Sequence, residues 1–147
     1  MKHLSLSALA VSLSLISCAQ NMSHTQVPAV VINAFQQQFP KASDVEWERK
    51  GPVYEVEFET GLSGKDHTVL IDSLGKITSH KQDITEQELP AAVLQAIKQQ
   101  FNGYRLDDME SIDTNGTMTY KTELKKKPEE WKVLFSADGK ILQKIAD

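Results

Sequence analysis

The hydrophobic and polar positions of the chain follow a helical period in two segments that repeat each other sixty-two residues apart. In residues 28–39 the apolar side chains recur at a spacing that places them on one stripe of a helix. The stripe consists of Val31, Ile32, Phe35 and Phe39. Seven of these twelve positions are identical in residues 90–101. The repeat therefore predicts two copies of one small unit, each beginning with a helix.

After each helix the period changes to two, which is typical of a strand with one buried face. In the first copy Trp47 and then Val56 lie between acidic neighbours, and Asp72–Lys76 has the glycine of a hairpin loop. The second copy follows the same plan, with a polar loop predicted at residues 125–130 and a weakly patterned strand at residues 110–114. We expect about four antiparallel strands after each helix.

These elements predict an α+β fold of two tandem units, each a helix plus a four-stranded antiparallel sheet, with the helices packed on one face of the sheet. The units are repeats 27–84 and 89–147. A unit of about 60 residues would bury only about 60% of its unfolded surface by itself. We therefore expect the two repeats to share one core or one sheet within a single domain, residues 27–147.

The first residues are typical of an export signal rather than of the fold. Residues 1–17 combine a short basic start with an apolar, serine-rich run that is too short to span a bilayer as a helix. The run ends in Leu15-Ile16-Ser17-Cys18, which is similar to the lipobox of bacterial lipoproteins. This predicts cleavage before Cys18, the only cysteine, and a membrane anchor through lipid on its thiol. The alternative is an ordinary cleaved signal and a soluble periplasmic or secreted protein.

The segment after the leader predicts a tether and a location. Residues 18–26 are polar and have no periodicity, which favours a linker between lipid and domain. No aspartate directly follows Cys18, so the inner-membrane retention signal of enteric bacteria is missing. We therefore expect the protein on the periplasmic side of the outer membrane.

The charge balance argues against nucleic acid as a partner. The chain has 16 Lys and Arg residues, and removal of Lys2 leaves 15 against 20 acidic residues, a net charge of −5. Phosphate contacts need basic patches, which an acidic chain does not favour. The sequence also has no nucleophile elbow, zinc-protease motif or phosphate-binding loop. We therefore expect neither an enzyme nor a cofactor.

The first two predicted strands carry an acidic row on one face. If the side chains of Trp47 and Val56 pair in the core, the glutamates beside them also oppose one another, and Asp44 and Glu59 extend the row. The candidate contacts for a partner are Glu46, Glu48, Glu55 and Glu57. Opposed like charges are unfavourable in a sheet. The row is therefore a solvated face that prevents aggregation, a docking face for a basic partner, or a weak calcium site.

The histidines do not predict a metal site. His67 and His80 flank one hairpin, but if Ile71 opposes Ile77, then Thr68 opposes His80. The two imidazoles would then project from opposite faces of the sheet. We expect both to be structural or solvated, with no bound metal.

The order of these motifs resembles the PepSY-like family of exported bacterial proteins, whose members look like beta-lactamase inhibitor protein in fold. The matching motifs of the first copy are Val27-Pro28-Ala29, Phe35 with Phe39-Pro40, Asp44 to Glu48, Tyr54 to Phe58 and Asp72 to Lys76. Those of the second copy are Leu89-Pro90-Ala91, Phe101, Tyr120 to Leu124, and Phe135 with Asp138-Gly139-Lys140. The resemblance covers nearly all of residues 27–147 and implies tandem helix-plus-sheet units with a non-enzymatic role. Related domains have been proposed to restrain peptidases.

Together these features predict a non-enzymatic envelope lipoprotein that binds an exported protein or peptide on its sheet face. Inhibition of a peptidase is the form of binding that the resemblance implies. The alternative is a small-ligand or calcium-binding envelope protein, and a structural spacer is a third possibility.

Overall fold

A computed structural model describes residues 21–147, and the predictions for residues 1–17 and for Cys18 concern residues outside that range. Two helices and one antiparallel sheet form the described part, and the nine strands of the sheet lie in chain order. The elements are β1 (Asn21–Met22), α1 (Ala29–Gln38), β2 (Ser43–Lys50), β3 (Val53–Thr60), β4 (Lys65–Asp72), β5 (Ile77–Asp83), α2 (Ala91–Gln100), β6 (Arg105–Thr114), β7 (Thr117–Lys126), β8 (Glu129–Ser136) and β9 (Ile141–Ala146).

The two predicted repeat units fit these elements. The helices α1 and α2 each have ten residues and begin sixty-two positions apart. Pro28 and Pro90 directly precede the first helical residues, where a missing backbone N–H leaves no hydrogen bond unmade. A short 3-10 turn with a capping box comes before each helix, at His24–Gln26 and Glu86–Glu88. The same sequence of a capped 3-10 turn and a proline therefore precedes both helices.

The first core lies between α1 and strands β2 to β4. Val31 and Phe35 of α1 are buried with strand residues Trp47, Tyr54, Val56, Phe58, Val69 and Ile71. Phe35 is central, because its ring meets Trp47 at 5.3 Å and Phe58 at 5.0 Å between centroids, both edge to face. The predicted helical stripe therefore faces the alternate apolar residues of the strands.

The second core repeats this arrangement between α2 and strands β7 and β8. Val93, Ile97 and Phe101 are buried with Leu124, Val133 and Phe135. The two units join where β5 pairs with β6, over Ser79–Asp83 and Glu110–Thr114. The repeats therefore have separate apolar clusters and share one sheet, which was one of the two predicted arrangements.

The polar loop predicted at residues 125–130 is wrong. Strand β7 continues to Lys126 and β8 begins at Glu129, so that only Lys127 and Pro128 turn the chain. Lys125 opposes Glu130 and Lys126 opposes Glu129. Opposite charges that face each other across two strands favour pairing. Because these strand ends contain no alternating apolar residues, the sequence pattern did not indicate that the strands extend this far.

Part of residues 18–26, the segment that the sequence predicted to be a tether, belongs to the sheet. Asn21 and Met22 pair with Glu48 and Trp47 on β2 and form the first edge of the sheet. Among residues 21–147, no helix has the length and apolar character needed to span a membrane.

Candidate functional site

The acidic row predicted on the first hairpin is present. Glu46 opposes Glu57 and Glu48 opposes Glu55, as the sequence predicted, with Trp47 and Val56 paired between them. Trp47 is 5% exposed and Val56 is fully buried. A slip by one residue would place these two side chains in water, so the core fixes the register that brings the carboxylates together.

The two glutamate pairs differ in their charge balance. Lys50 Nζ lies 2.7 Å from Glu48 Oε2 and 3.4 Å from Glu55 Oε1. The hydrogen bond with Glu48 is the main reason why the pKa of Lys50 is raised. Among the described residues, no lysine, arginine or histidine lies within ion-pair distance of Glu46 or Glu57. The charge of the row is therefore concentrated on the Glu46–Glu57 pair.

That pair opens into a groove of about 460 Å³ on the sheet face. Seven carboxylates line the groove: Asp44, Glu46, Glu57, Glu59, Asp66, Asp83 and Glu110. The predicted extension of the row is altered, because Glu59 opposes Ser43 and a bulge follows, with Asp44 at a φ of 49°. Both residues still line the groove, so the row becomes a wider acidic surface, which we call the acidic groove.

Three carboxylates of the acidic groove come from strands that the sequence analysis did not join to the row. Asp66 opposes Glu59 on the next strand, and Asp83 opposes Glu110 where the two units meet. Extending the register from β3 to β4 would have found Asp66. The Asp83–Glu110 pair depends on the junction of the repeats, for which the weak pattern of residues 110–114 gave no register.

The negative charge of the groove affects the pKa of Asp83. Burial raises this pKa above its usual value, and the charges of Asp66 and Glu110 raise it further. Glu110 differs, because Lys121 and Lys81 hold its pKa low in spite of burial. Lys81 is the one lysine that lines the groove, and its Nζ lies 3.2 Å from Glu110. The remaining carboxylates therefore present net negative charge.

The second unit lacks a comparable excess of negative charge on its strands. Lys125 lies 2.8 Å from Asp107 and 3.0 Å from Glu123, and Lys132 lies 2.8 Å from Asp147. Alternating lysines and carboxylates neutralise one another along these strands. The acidic groove is thus a property of the first unit and the junction.

The acidic groove does not have the geometry of a tight calcium site. Among the described residues, the ligand atoms of three acidic side chains converge within 4.8 Å at Asp107, Asp108 and Glu123, outside the groove. Lys125 already bridges two of those side chains. Calcium needs six to eight oxygen ligands, and the described carboxylates of the groove do not converge in that way.

The predicted positions of the two hairpin histidines are wrong. Ile71 opposes Ile77 as expected, but a bulge follows, so that His80 opposes Val69 rather than Thr68. This places His80 on the same face as His67, and His67 Nδ1 lies 3.0 Å from His80 Nε2. A bulge adds one residue to a strand, so that every later side chain points to the opposite face of the sheet. The alternation of apolar and polar residues in the sequence does not reveal this change.

Solved structures share the fold of this chain. A BLIP-like protein from Bacteroides fragilis has 20% sequence identity and a TM-score of 0.67, over 81% of this chain and 85% of that one. A candidate periplasmic protein from Bacteroides eggerthii has 20% identity and a TM-score of 0.71, over 82% and 88%. A DUF2874 family protein from Bacteroides uniformis has 22% identity and a TM-score of 0.70, over 81% and 88%.

The comparisons with sequences give the family. No curated protein matches the chain. The beta-lactamase-inhibitor-like, PepSY-like family matches it twice, over residues 15–79 and 75–143, which agrees with the duplicated unit seen in the sequence and in the sheet. The chain belongs to the PepSY-like, beta-lactamase-inhibitor-like family.

Proposed function

We propose that this chain is a non-enzymatic envelope lipoprotein that holds a basic segment of another exported protein in its acidic groove. The observation that carries the proposal is the set of seven carboxylates that line one groove with a single lysine among them. The strongest of the predicted contacts are Glu46 and Glu57, because Lys50 already pairs with Glu48 and Glu55.

A partner can reach the groove if α1 and α2 both cover the face of the sheet opposite to the carboxylates. The strand register supports this position of the helices. A row of directly opposed residues crosses four pairs of strands: His67, Gln82, Ser111, Tyr120 and Phe135. Directly opposed residues share a face of the sheet. His67 stacks on Phe58 of the first core and Phe135 belongs to the second core. We infer that α1 and α2 lie on this common face and that the carboxylates occupy the opposite, solvated one.

The physical basis of binding is charge complementarity. Clustered carboxylates with few counter-charges steer a cationic partner and reject an anionic one. The attraction falls with ionic strength, because surface charges are screened over about 8 Å at physiological salt. The mechanism is steric occupation without turnover, and inhibition of an exported peptidase is the form that the family resemblance supports.

The proposed location is the periplasmic side of the outer membrane, with lipid on Cys18 as the anchor. The leader and its lipobox-like end support this location. The description of the Bacteroides eggerthii relative as a candidate periplasmic protein agrees with export. Metabolic labelling with a fatty-acid analogue tests the anchor, and a mature chain without label would remove it.

The binding proposal is tested by capture from an envelope extract of the source bacterium. Three variants of equal charge change are compared with the parent: Glu46→Gln with Glu57→Gln, Glu48→Gln with Glu55→Gln, and, as a control outside the groove, Glu86→Gln with Glu130→Gln. We expect the first variant to lose a basic protein that the parent and the control recover, and the second to lose less. Equal recovery by all three variants and by the quadruple variant of the four predicted contacts would remove the acidic groove from the proposal.

A small ligand in the same groove is the second candidate, and the volume of about 460 Å³ supports it. A divalent cation is the other form of this alternative. A ligand that binds only the folded chain raises the melting temperature by mass action. A melting temperature that does not respond to calcium or magnesium would count against the ion.

A further inference from the structure

We propose that His67 and His80 form a binding site for a transition-metal ion of the zinc or copper type, on the sheet face that carries the first core. His67 also lines the acidic groove, so that the two sites adjoin, but the inference does not depend on the proposed function. It also reverses the expectation from the sequence that these two side chains could not share an ion.

The distance between the two ring nitrogens fits a shared ion. His67 Nδ1 and His80 Nε2 are 3.0 Å apart. Two imidazole nitrogens at about 2.0–2.1 Å from a tetrahedral zinc ion are about 3.3 Å apart. The separation is within a few tenths of an ångström of that value, and the two rings, now 23° from parallel, turn on binding so that both nitrogens face the ion.

Both rings are held in place by their surroundings. Thr60 Oγ1 lies 2.7 Å from the remote nitrogen of His67, the kind of outer partner that orients a metal-bound histidine. Phe58 stacks on the His67 ring at 4.8 Å, and Phe39 meets the His80 ring at 5.1 Å.

The second unit places a positive charge at the same position. Trp131 and Lys144 are the counterparts of His67 and His80, because Val133 opposes Lys144 as Val69 opposes His80. Lys144 Nζ lies 3.8 Å from the centre of the Trp131 ring. It is also 5.1 Å from the ring of Phe101, which ends α2 as Phe39 ends α1. The duplicated fold therefore already accommodates a cation here, supplied in the second unit by the chain itself.

Solvent can complete the coordination. A cavity of about 60 Å³ adjoins His80 and is large enough for water. Asp113 lies directly across from His80 and also lines this cavity, but its Oδ1 accepts the Gly116 N–H, and among the described residues its carboxylate does not converge with the two imidazoles. Two imidazoles with water suit zinc, copper or nickel, whereas calcium and magnesium prefer oxygen ligands alone. The site is thus selective by ligand type.

The test uses the full chain with Cys18→Ser, which removes the one thiol that would bind the same metals. Zinc chloride is titrated while thermal unfolding is followed, with His80→Gln as the site variant and His24→Gln as the matched control. We expect a saturating rise in melting temperature that survives His24→Gln, is lost in His80→Gln and is not reproduced by calcium or magnesium. An equal response of the two variants, or no response of the parent, would overturn the site.

A second measurement keeps the test decisive if His80→Gln does not fold. Imidazole nitrogen resonances of the unmodified pair are recorded by NMR during the same titration. Binding predicts that the signals of His67 and His80 shift together while those of His24 do not. Shifts confined to His24, or no shifts at all, would contradict the proposal.

Discussion

Replacement of Gly139 by alanine tests whether the turn after β8 rests directly on α2. Gly139 has a φ of 83°, and an alanine Cβ at this position would lie 2.4 Å from the carbonyl oxygen of Ala92, in the first turn of α2. That distance is far inside van der Waals contact, and the atom it meets is backbone, which has no rotamer to change.

The size of the effect follows from two separate costs. A non-glycine residue in the left-handed region costs about 1–2 kcal/mol. Moving a helix to relieve a backbone clash is a case of overpacking, which costs about 1–3 kcal/mol. We therefore expect Gly139→Ala to lower the free energy of unfolding by about 2–5 kcal/mol.

Gly116 provides the matched control. Its φ of 86° is nearly the same, but no atom lies within 4 Å of the added Cβ, so that Gly116→Ala pays only the backbone strain. Gly75 is the counterpart of Gly139 in the first unit, with the carbonyl oxygen of Val30 at 3.0 Å. The expected order of stability is parent, Gly116→Ala, Gly75→Ala and Gly139→Ala.

Urea unfolding measures these differences. Trp47 lies in the first core and Trp131 packs against the second, so that fluorescence and circular dichroism together report on both units. The midpoint should fall in the stated order with an unchanged urea dependence. If Gly139→Ala unfolds at the same midpoint as Gly116→Ala, the close contact between the turn and α2 is refuted.

Three further predictions concern buried and charged groups. Thr122 is fully buried, and its hydroxyl lacks a hydrogen-bond partner among the described residues. The equivalent residue of the first unit is Val56. Thr122→Val should therefore raise the free energy of unfolding in urea by about 1–3 kcal/mol, and a loss of stability would contradict this. Because the pKa of Asp83 is raised above 3.8 in the folded state, Asp83→Asn should stabilise the protein at pH 7. That gain should vanish as pH falls through the raised pKa to 3.8, and a gain that persists below 3.8 would contradict the sign. Lys50→Met should lower the melting temperature because Glu48 and Glu55 lose their shared cation, and an unchanged value would contradict this.

The sequence predicts the parts of the fold that depend on burial. The helical stripes and the register of the first hairpin follow from large apolar side chains, and Trp47 opposes Val56 as expected. The glutamates of the row follow from that register, because a strand that buries one face must expose the other. The elements that were found are those in which one side of the chain is apolar.

The features that the sequence did not predict have a different physical origin. The bulge that brings His80 to the side of His67 adds one residue within a polar strand, where no apolar period marks the change. The strand ends at Lys126 and Glu129 consist of polar and charged residues, a composition that is typical of a loop. The junction that adds Asp83 and Glu110 to the groove is a contact between repeats, so the pattern within one repeat could not locate it.

Divergence between the two repeats indicates where specific function lies. Positions that hold each helix on its sheet stay alike, since a glycine contacts the first helical turn and a phenylalanine ends the helix in both units. The positions that differ are the charges on the strands and the pair that is His67 with His80 in one unit and Trp131 with Lys144 in the other. The residues that hold the helix on the sheet are needed in both copies of the fold, whereas the strand charges and this side-chain pair can change without loss of the fold. Lysines neutralise the strands of the second unit and Lys144 lies over the Trp131 ring, whereas the first unit keeps an excess of carboxylates and two adjacent imidazoles, the groups on which both proposals rest.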